Sequence, residues 1–137
     1  MLGLIGLILA TSMPALTRQA SSLRLQATTR ELVGLLSLAR SLAISEHEDH
    51  AVVLDEAKRQ FTIVNQASGE TLEHVVRLPS SVAVEVRVGG QPASGTPVVF
   101  TPSGALHGRS VTVALSDREK RRTVSVTGIT GAVLVQD

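Results

Sequence analysis

The sequence predicts an α+β fold: a long N-terminal α-helix packed on an antiparallel, two-sheet, sandwich-like β domain. Three observations carry this expectation. Residues 1–16, MLGLIGLILATSMPAL, hold no charge and only two polar residues, Thr11 and Ser12. Apolar residues then recur mostly at steps of three and four as far as Ala43, the period of one helix face. After His50 the period shortens to two and turn residues interrupt it every few positions, as in a chain of short strands. At 137 residues the chain is one domain with an appendage. We divide it into an apolar helix segment (1–17), its amphipathic continuation (18–46) and a β domain (47–137).

The helix is expected to run from near residue 2 to about residue 46, roughly 65 Å at 1.5 Å per residue. Its core-facing positions follow from the apolar spacing Leu16, Ala20, Leu23, Ala27, Leu32, Leu35, Leu36, Ala39, Leu42 and Ala43. Of these, Leu32, Leu35, Leu36, Ala39 and Leu42 are expected to cover a sheet. Leu2, Leu4, Ile5, Leu7, Ile8, Leu9, Met13, Pro14 and Leu16 form the apolar segment, suited to a membrane or a filament core. Pro14 should bend or loosen the helix, because it removes a hydrogen bond and crowds the preceding turn. A bilayer span takes about 20 apolar residues, so this run is short, and an earlier start to the natural chain is expected. It lacks the basic flank and small-residue cleavage site of a secretory signal.

The β domain follows in order. Residues 51–55 and 60–64 flank the tetrad Glu56-Ala57-Lys58-Arg59 and suggest a hairpin. A turn with Ser68-Gly69 precedes a strand over 71–78, which Pro79 stops. Residues 81–88 alternate, with Val82, Val84, Val86 and Val88 on one face and Ala83, Glu85 and Arg87 on the other. Residues 89–97 are a loop rich in Gly, Pro and Ser. A short strand over 97–101 leads into the turn Pro102-Ser103-Gly104. Strands over 109–115 and 122–127 enclose the charged turn 116–121, and 132–136 closes the chain. Seven or eight strands at this spacing argue for two packed antiparallel sheets. Val82, Val84, Val86, Val111, Val113 and Val124 are their expected core.

Charge and composition exclude several functions. Residues 1–45 carry four bases and one acid, and residues 46–137 carry nine bases and eleven acids. Residues 46–137 are therefore net −2, and the β region is not a general polyanion binder. Its only aromatics are Phe61 and Phe100, too few for a platform that stacks bases. The absence of cysteine removes disulfides, thiolate catalysis and thiolate zinc sites. Glu46-His47-Glu48-Asp49-His50 is the one dense group of metal-binding residue types. Its histidines stand three apart rather than the four of HExxH, so it is read as a solvated helix end. His74 and His107 are isolated, and Ser103 belongs to a turn. No nucleophile, base and charge stabiliser come together in the pattern, so neither an enzyme nor a cofactor is expected. The basic run Arg118, Lys120, Arg121 and Arg122 is read as a soluble hairpin tip, with a partner or phosphate contact as the alternative.

Ordered pieces of the sequence resemble the GspH/FimT family of minor pseudopilins. Thr28-Thr29-Arg30-Glu31-Leu32-Val33 through Leu38-Ala39-Arg40-Ser41-Leu42-Ala43-Ile44 resembles the family's helix signature, L-x-x-A-R-x-x-A-I. Arg77-Leu78-Pro79 resembles its R-L-P, and Phe100-Thr101-Pro102-Ser103-Gly104 its F-x-P-x-G turn. Arg122-Thr123-Val124-Ser125-Val126 and Thr130-Gly131 resemble its closing strand and T-G ending. The resemblance implies a pilin-like fold and a structural subunit of a type II secretion pseudopilus. The implied partners are other minor and major pseudopilins, and secreted substrate proteins. It also implies a single-pass location in the bacterial inner membrane with the β domain in the periplasm. Arg18, Arg24 and Arg30, taken alone by the positive-inside rule, would put that domain in the cytoplasm; the resemblance implies the reverse. The leader glycine and the F-T-L-x-E start of such proteins have no counterpart here, which places Met1 some residues inside the expected mature start. Members that bind DNA end in roughly G-R-x-R, whereas this chain has Gly131-Ala132-Val133-Leu134. Specific nucleic-acid binding is therefore not expected, and a type IV pilus minor pilin assisting DNA uptake or adhesion is the second reading.

Overall fold

The computed structural model describes the backbone of residues 2–136 apart from 94 and 119, and side chains from residue 23 onward. The expected α+β architecture is present: one helix against two antiparallel sheets. Helix α1 spans Leu2–Glu46. It ends where His47 takes a left-handed conformation, φ 57°, reversing the chain into the first strand.

Among the described residues nine strands follow: β1 His50–Asp55, β2 Gln60–Asn65, β3 Thr71–Arg77, β4 Ala83–Val88, β5 Gln91–Pro92, β6 Val98–Phe100, β7 Val111–Ser116, β8 Arg121–Val126 and β9 Val133–Gln136. The first sheet has the order β3-β2-β1-β6 and the second β5-β4-β7-β8-β9. The β1–β2 hairpin closes at Asp55↔Gln60, around the tetrad read from the sequence. Its turn is held by Asp55, whose Oδ1 accepts the Ala57 and Lys58 N–H groups at 3.1 and 3.2 Å. β7 and β8 pair from Val111↔Val126 to Ser116↔Arg121. The two-residue β5 lies inside the segment expected to be loop. It pairs with the end of β4 at Arg87↔Pro92 and Val88↔Gln91.

One core joins all layers. The helix contributes Leu25, Leu32, Leu35, Leu36, Ala39 and Ala43. The first sheet adds Phe61, Ile63 and Phe100, and the second Val86, Val111, Val113, Leu115, Val124 and Val126. Both aromatic rings of the chain are thus interior. Val84 and Val88 are partly buried against this core. α1 packs mainly on β1 and β3 and also reaches β8 and β9.

The buried stripe of the helix is rotated from the expected one. Leu25, Thr28 and Thr29 are buried, while Leu23 is 59% exposed and Ala27 is exposed. At about 100° per residue Leu23 lies on the side of the helix opposite Leu32, and Leu25 falls close to the Leu32 direction. Leu42 is half-buried and Ala43 fully buried, since eleven residues bring Ala43 back over Leu32 and ten do not. The two buried threonines satisfy their hydroxyls within the helix, Thr28 Oγ1 donating to Arg24 O at 2.8 Å and Thr29 Oγ1 to Leu25 O at 2.7 Å.

Candidate functional site

Three of the ordered sequence pieces, the helix signature, the turn after β6 and Thr130-Gly131, meet at the C-terminal end of the helix. Arg40 sits one residue beyond the buried Ala39, so its half-buried side chain reaches over the edge of the core. Its Nε donates to Gly104 O at 3.0 Å and its Nη2 to Thr130 O at 3.2 Å. One guanidinium therefore ties the helix to two turns, one after β6 and one before β9. Each turn has its own local closure. Thr101 N–H donates to Ala105 O at 2.8 Å and Gly104 N–H to Thr101 O at 2.9 Å. Across the other turn, Thr127 N–H donates to Ala132 O at 3.0 Å and Gly131 N–H to Thr127 O at 2.7 Å. Gly131 has φ +69° and lies against the first turn: a Cβ there would overlap the Gly104 carbonyl oxygen and stand 3.1 Å from Arg40 Nε. Only glycine combines that backbone angle with that approach. The chemistry of this site is mechanical, because a charged fork fixes two carbonyls and thereby the angle between helix and domain.

A second arginine anchors the R-L-P region. Arg59 has φ 50° at the end of the β1–β2 turn, and its Nη2 donates to Pro79 O at 3.2 Å and to Val82 O. Arg77 of that piece is exposed, whereas Leu78 is buried.

The helix end is not the fully solvated segment expected. Glu46, His47 and Glu48 are exposed, but His50 is 1% exposed. Its Nε2 lies 2.9 Å from Glu46 Oε2 and its Nδ1 2.9 Å from Glu48 O. The half-buried pair next to it is Asn65 Nδ2 donating to Glu48 Oε2 at 2.6 Å. These side chains close the helix onto the β1–β2 sheet. Among the described residues no group of three His, Asp or Glu is placed to hold a metal. Ser103 Oγ shares a hydrogen bond with Thr101 Oγ1 at 2.8 Å inside its turn.

The basic run is divided by strand alternation. Arg118, Lys120 and Arg121 are exposed, and Arg121 Nη2 lies 3.7 Å from Glu85 Oε2. Arg122, opposite the buried Leu115, points to the helix side instead. There it lines a cleft of about 350 Å³ with Gln26, Thr29, Arg30, Val33 and Val135. Arg30 was legible only as a polar-face residue, and nothing in the local sequence joins it to Arg122.

Leu32, Leu35, Leu36 and Ala39 lie in the core, and Leu42 at its margin. The side chains of Leu2, Leu4, Ile5, Leu7, Ile8, Leu9, Met13, Pro14 and Leu16 lie outside the described residues. Among the described residues no helix is long and apolar enough to cross a membrane.

Residues 28–131 match the family model described as "Type II transport protein GspH". No curated protein matches significantly. Among solved structures, the fold is similar to the type IV minor pilin FimU of Pseudomonas aeruginosa: TM-score 0.65 at 19% identity, over 85% of this chain and 91% of that one. It is also similar to the minor pseudopilin EpsH of the Vibrio cholerae type 2 secretion system: TM-score 0.63 at 15% identity, over 81% of this chain and 94% of that one.

Proposed function

The chain belongs to the GspH family, a family of structural pseudopilins that assemble into filaments, and from that premise we propose that it is a minor pseudopilin of a type II secretion pseudopilus. In this reading the apolar helix rests in the inner membrane until it is drawn into the filament. The β domain faces the periplasm, where it meets other minor and major pseudopilins and the secreted proteins. The division at residues 17 and 46 separates membrane segment, connecting helix and head. Work is done by assembly, and the Arg40 clamp keeps the head at a fixed angle to the helix that enters the filament.

The observation that favours secretion over DNA uptake is at the last strand. Ala132 and Leu134 stand where DNA-binding members carry arginine, and both are exposed. No guanidinium is offered there to a phosphate. Disrupting the gene in its host tests the reading. Export of secreted proteins into the medium is expected to stop, with pilus-dependent motility and DNA uptake unchanged. Loss of motility or uptake with normal export would transfer the chain to a type IV pilus, as a minor pilin.

A further inference from the structure

The four outer strand edges of the two sheets are protected very unequally. β3 carries Glu73, His74 and Arg77 exposed along it, and its pairing with β2 is irregular between Thr62 and Val64. β5 is two residues long and contains Pro92, which has no N–H. β6 is covered by the loop after it, through His107 N–H to Val99 O at 2.8 Å and the Phe100↔Leu106 bridge. Charge, irregularity, brevity and cover are the usual ways a sheet edge is kept from pairing with other chains. β9 is four residues long and has none of the other three. Its sequence is Val133-Leu134-Val135-Gln136, without charge, Pro or Gly, and it pairs with β8 in unbroken register. Leu134 is 56% and Val135 46% exposed. No described hydrogen bond engages its outer backbone groups.

Alongside this bare edge lies the cleft between α1 and the second sheet. Val33 and Val135 supply apolar walls, and Gln26, Arg30 and Arg122 supply polar ones. Thr29 is already bonded within the helix. Arg30 is exposed and makes no hydrogen bond or ion pair among the described residues.

We propose that β9 is a strand-addition site for an extended acidic segment of a neighbouring subunit. That segment adds a strand to the second sheet, rests an apolar side chain on Val33 and Val135, and places a carboxylate against Arg30. Main-chain bonds would supply affinity and the side-chain pocket specificity, as in other strand additions. The negative sign of the partner follows from the exposed guanidinium of Arg30 in the cleft. That the partner is a filament subunit rests on the function proposed above; the strand addition does not. A four-residue ladder is short, so an isolated peptide should bind on the order of 1 mM. Subunits held in one filament present each other at comparable effective concentration, so such a contact forms there.

The test titrates the full chain in detergent micelles with the capped hexapeptide Val-Thr-Glu-Thr-Val-Thr, whose valines and glutamate share one face of an extended strand, following backbone amide shifts by NMR. Three other titrations accompany it: the same peptide with Lys in place of Glu, the acidic peptide N-methylated at alternate residues on one edge or on the other, and the acidic peptide with the Arg30→Gln variant. The expected result is shifts centred on residues 133–136 with the acidic peptide, and weaker ones with the basic peptide. N-methylation of the pairing edge should abolish them, and Arg30→Gln should weaken binding two- to fivefold, the range for an exposed ion pair. No shift in β9 at millimolar peptide, equal binding of the two charge forms, or binding that survives whichever edge is methylated would each overturn the proposal. So would β9 shifts that depend only on the concentration of the chain itself, which would make a second copy the occupant. None of these outcomes bears on whether the chain is a pseudopilin.

Discussion

Replacing Gly131 by alanine, beside a matched replacement at Gly69, separates backbone strain from contact at the Arg40 clamp. Both glycines have left-handed backbones, φ +69° and +75°. Around Gly69 nothing lies within 4 Å of an added Cβ, so Gly69→Ala measures the strain alone. A left-handed alanine costs about 1–2 kcal/mol. At Gly131 the same strain applies, and the methyl group overlaps the Gly104 carbonyl oxygen, with Gly104 C at 3.0 Å and Arg40 Nε at 3.1 Å. The blocking atoms are backbone, so one turn must move. Overpacking of this kind costs about 1–3 kcal/mol. Movement of Gly104 also breaks the Arg40 Nε bond, a charge-assisted bond worth about 1–3 kcal/mol. The total for Gly131→Ala is about 3–8 kcal/mol, against about 5–15 kcal/mol for a whole domain.

The assay is scanning calorimetry of the full chain in detergent, since the sequence has no Trp or Tyr to report by fluorescence. At roughly 4 °C per kcal/mol for a domain of this size, Gly69→Ala should melt about 4–8 °C below the natural chain. Gly131→Ala should melt about 12–32 °C below it, or fail to show a transition. If the two variants melt within about 3 °C of each other, the turns do not meet as described and Arg40 does not clamp them.

Four further outcomes are expected. Leu36 is fully buried in the helix–sheet core, and Leu36→Asp should abolish the calorimetric transition, because an unpaired buried charge costs several kcal/mol; an unchanged melt would mean that the helix does not pack there. Arg40→Met should lower stability by about 1–3 kcal/mol, whereas Arg77→Met, at an exposed residue, should stay within about 0.5 kcal/mol of the natural chain by denaturant titration. His47→Gly should raise the melting temperature by about 2–4 °C, since glycine adopts φ 57° without strain and His47 makes no described bond to lose; a fall would show that the imidazole contributes. Gel-shift titrations at two salt concentrations should find duplex DNA bound weakly at 150 mM salt. The variant with arginine at positions 132 and 134 should bind more tightly, because these positions are exposed and two apart in an extended segment; sub-micromolar binding by the natural chain would instead favour DNA uptake.

The elements were legible in the sequence to the extent that they kept a strict period. Residues 60–64 and 81–88 alternate, and β2 and β4 lie within a residue or two of the expected bounds. The helix reaches Glu46 as the apolar steps require. β5 escaped because Gly89, Gly90 and Pro92 are turn and breaker residues, and only pairing with the end of β4 makes two of its residues a strand. Leu23 and Ala27 are apolar and at helical spacing, yet their angle on the helix turns them to solvent. Thr28 and Thr29 fall on the buried side and tolerate it by bonding back to the helix. His50 was hidden for a related reason: a polar residue at the start of a strand is buried only because Glu46 and Glu48 are in place around it. Arg40 was visible as part of a family pattern, but its acceptors lie 64 and 90 residues away. No local period encodes such a contact.

The two ends of the packed helix are mechanically linked through the turn at residues 127–132. That turn is fixed on one side by Arg40 and Gly104, and on the other it leads directly into β9. The position of the bare strand edge is therefore set by its ladder with β8 and, where the chain enters it, by the clamp. Arg30 and Val33 stand two to three helical turns before Arg40, on the rod that the clamp holds against the sheet, so the width of the cleft depends on the same angle. A head that rocked on its helix would open and close the cleft and misalign the edge for an incoming strand. Rigid attachment at Arg40 prevents this, which gives a physical reason for one guanidinium to hold two turns so distant in sequence: it fixes the head to the helix and presents the β9 edge and its cleft in one geometry.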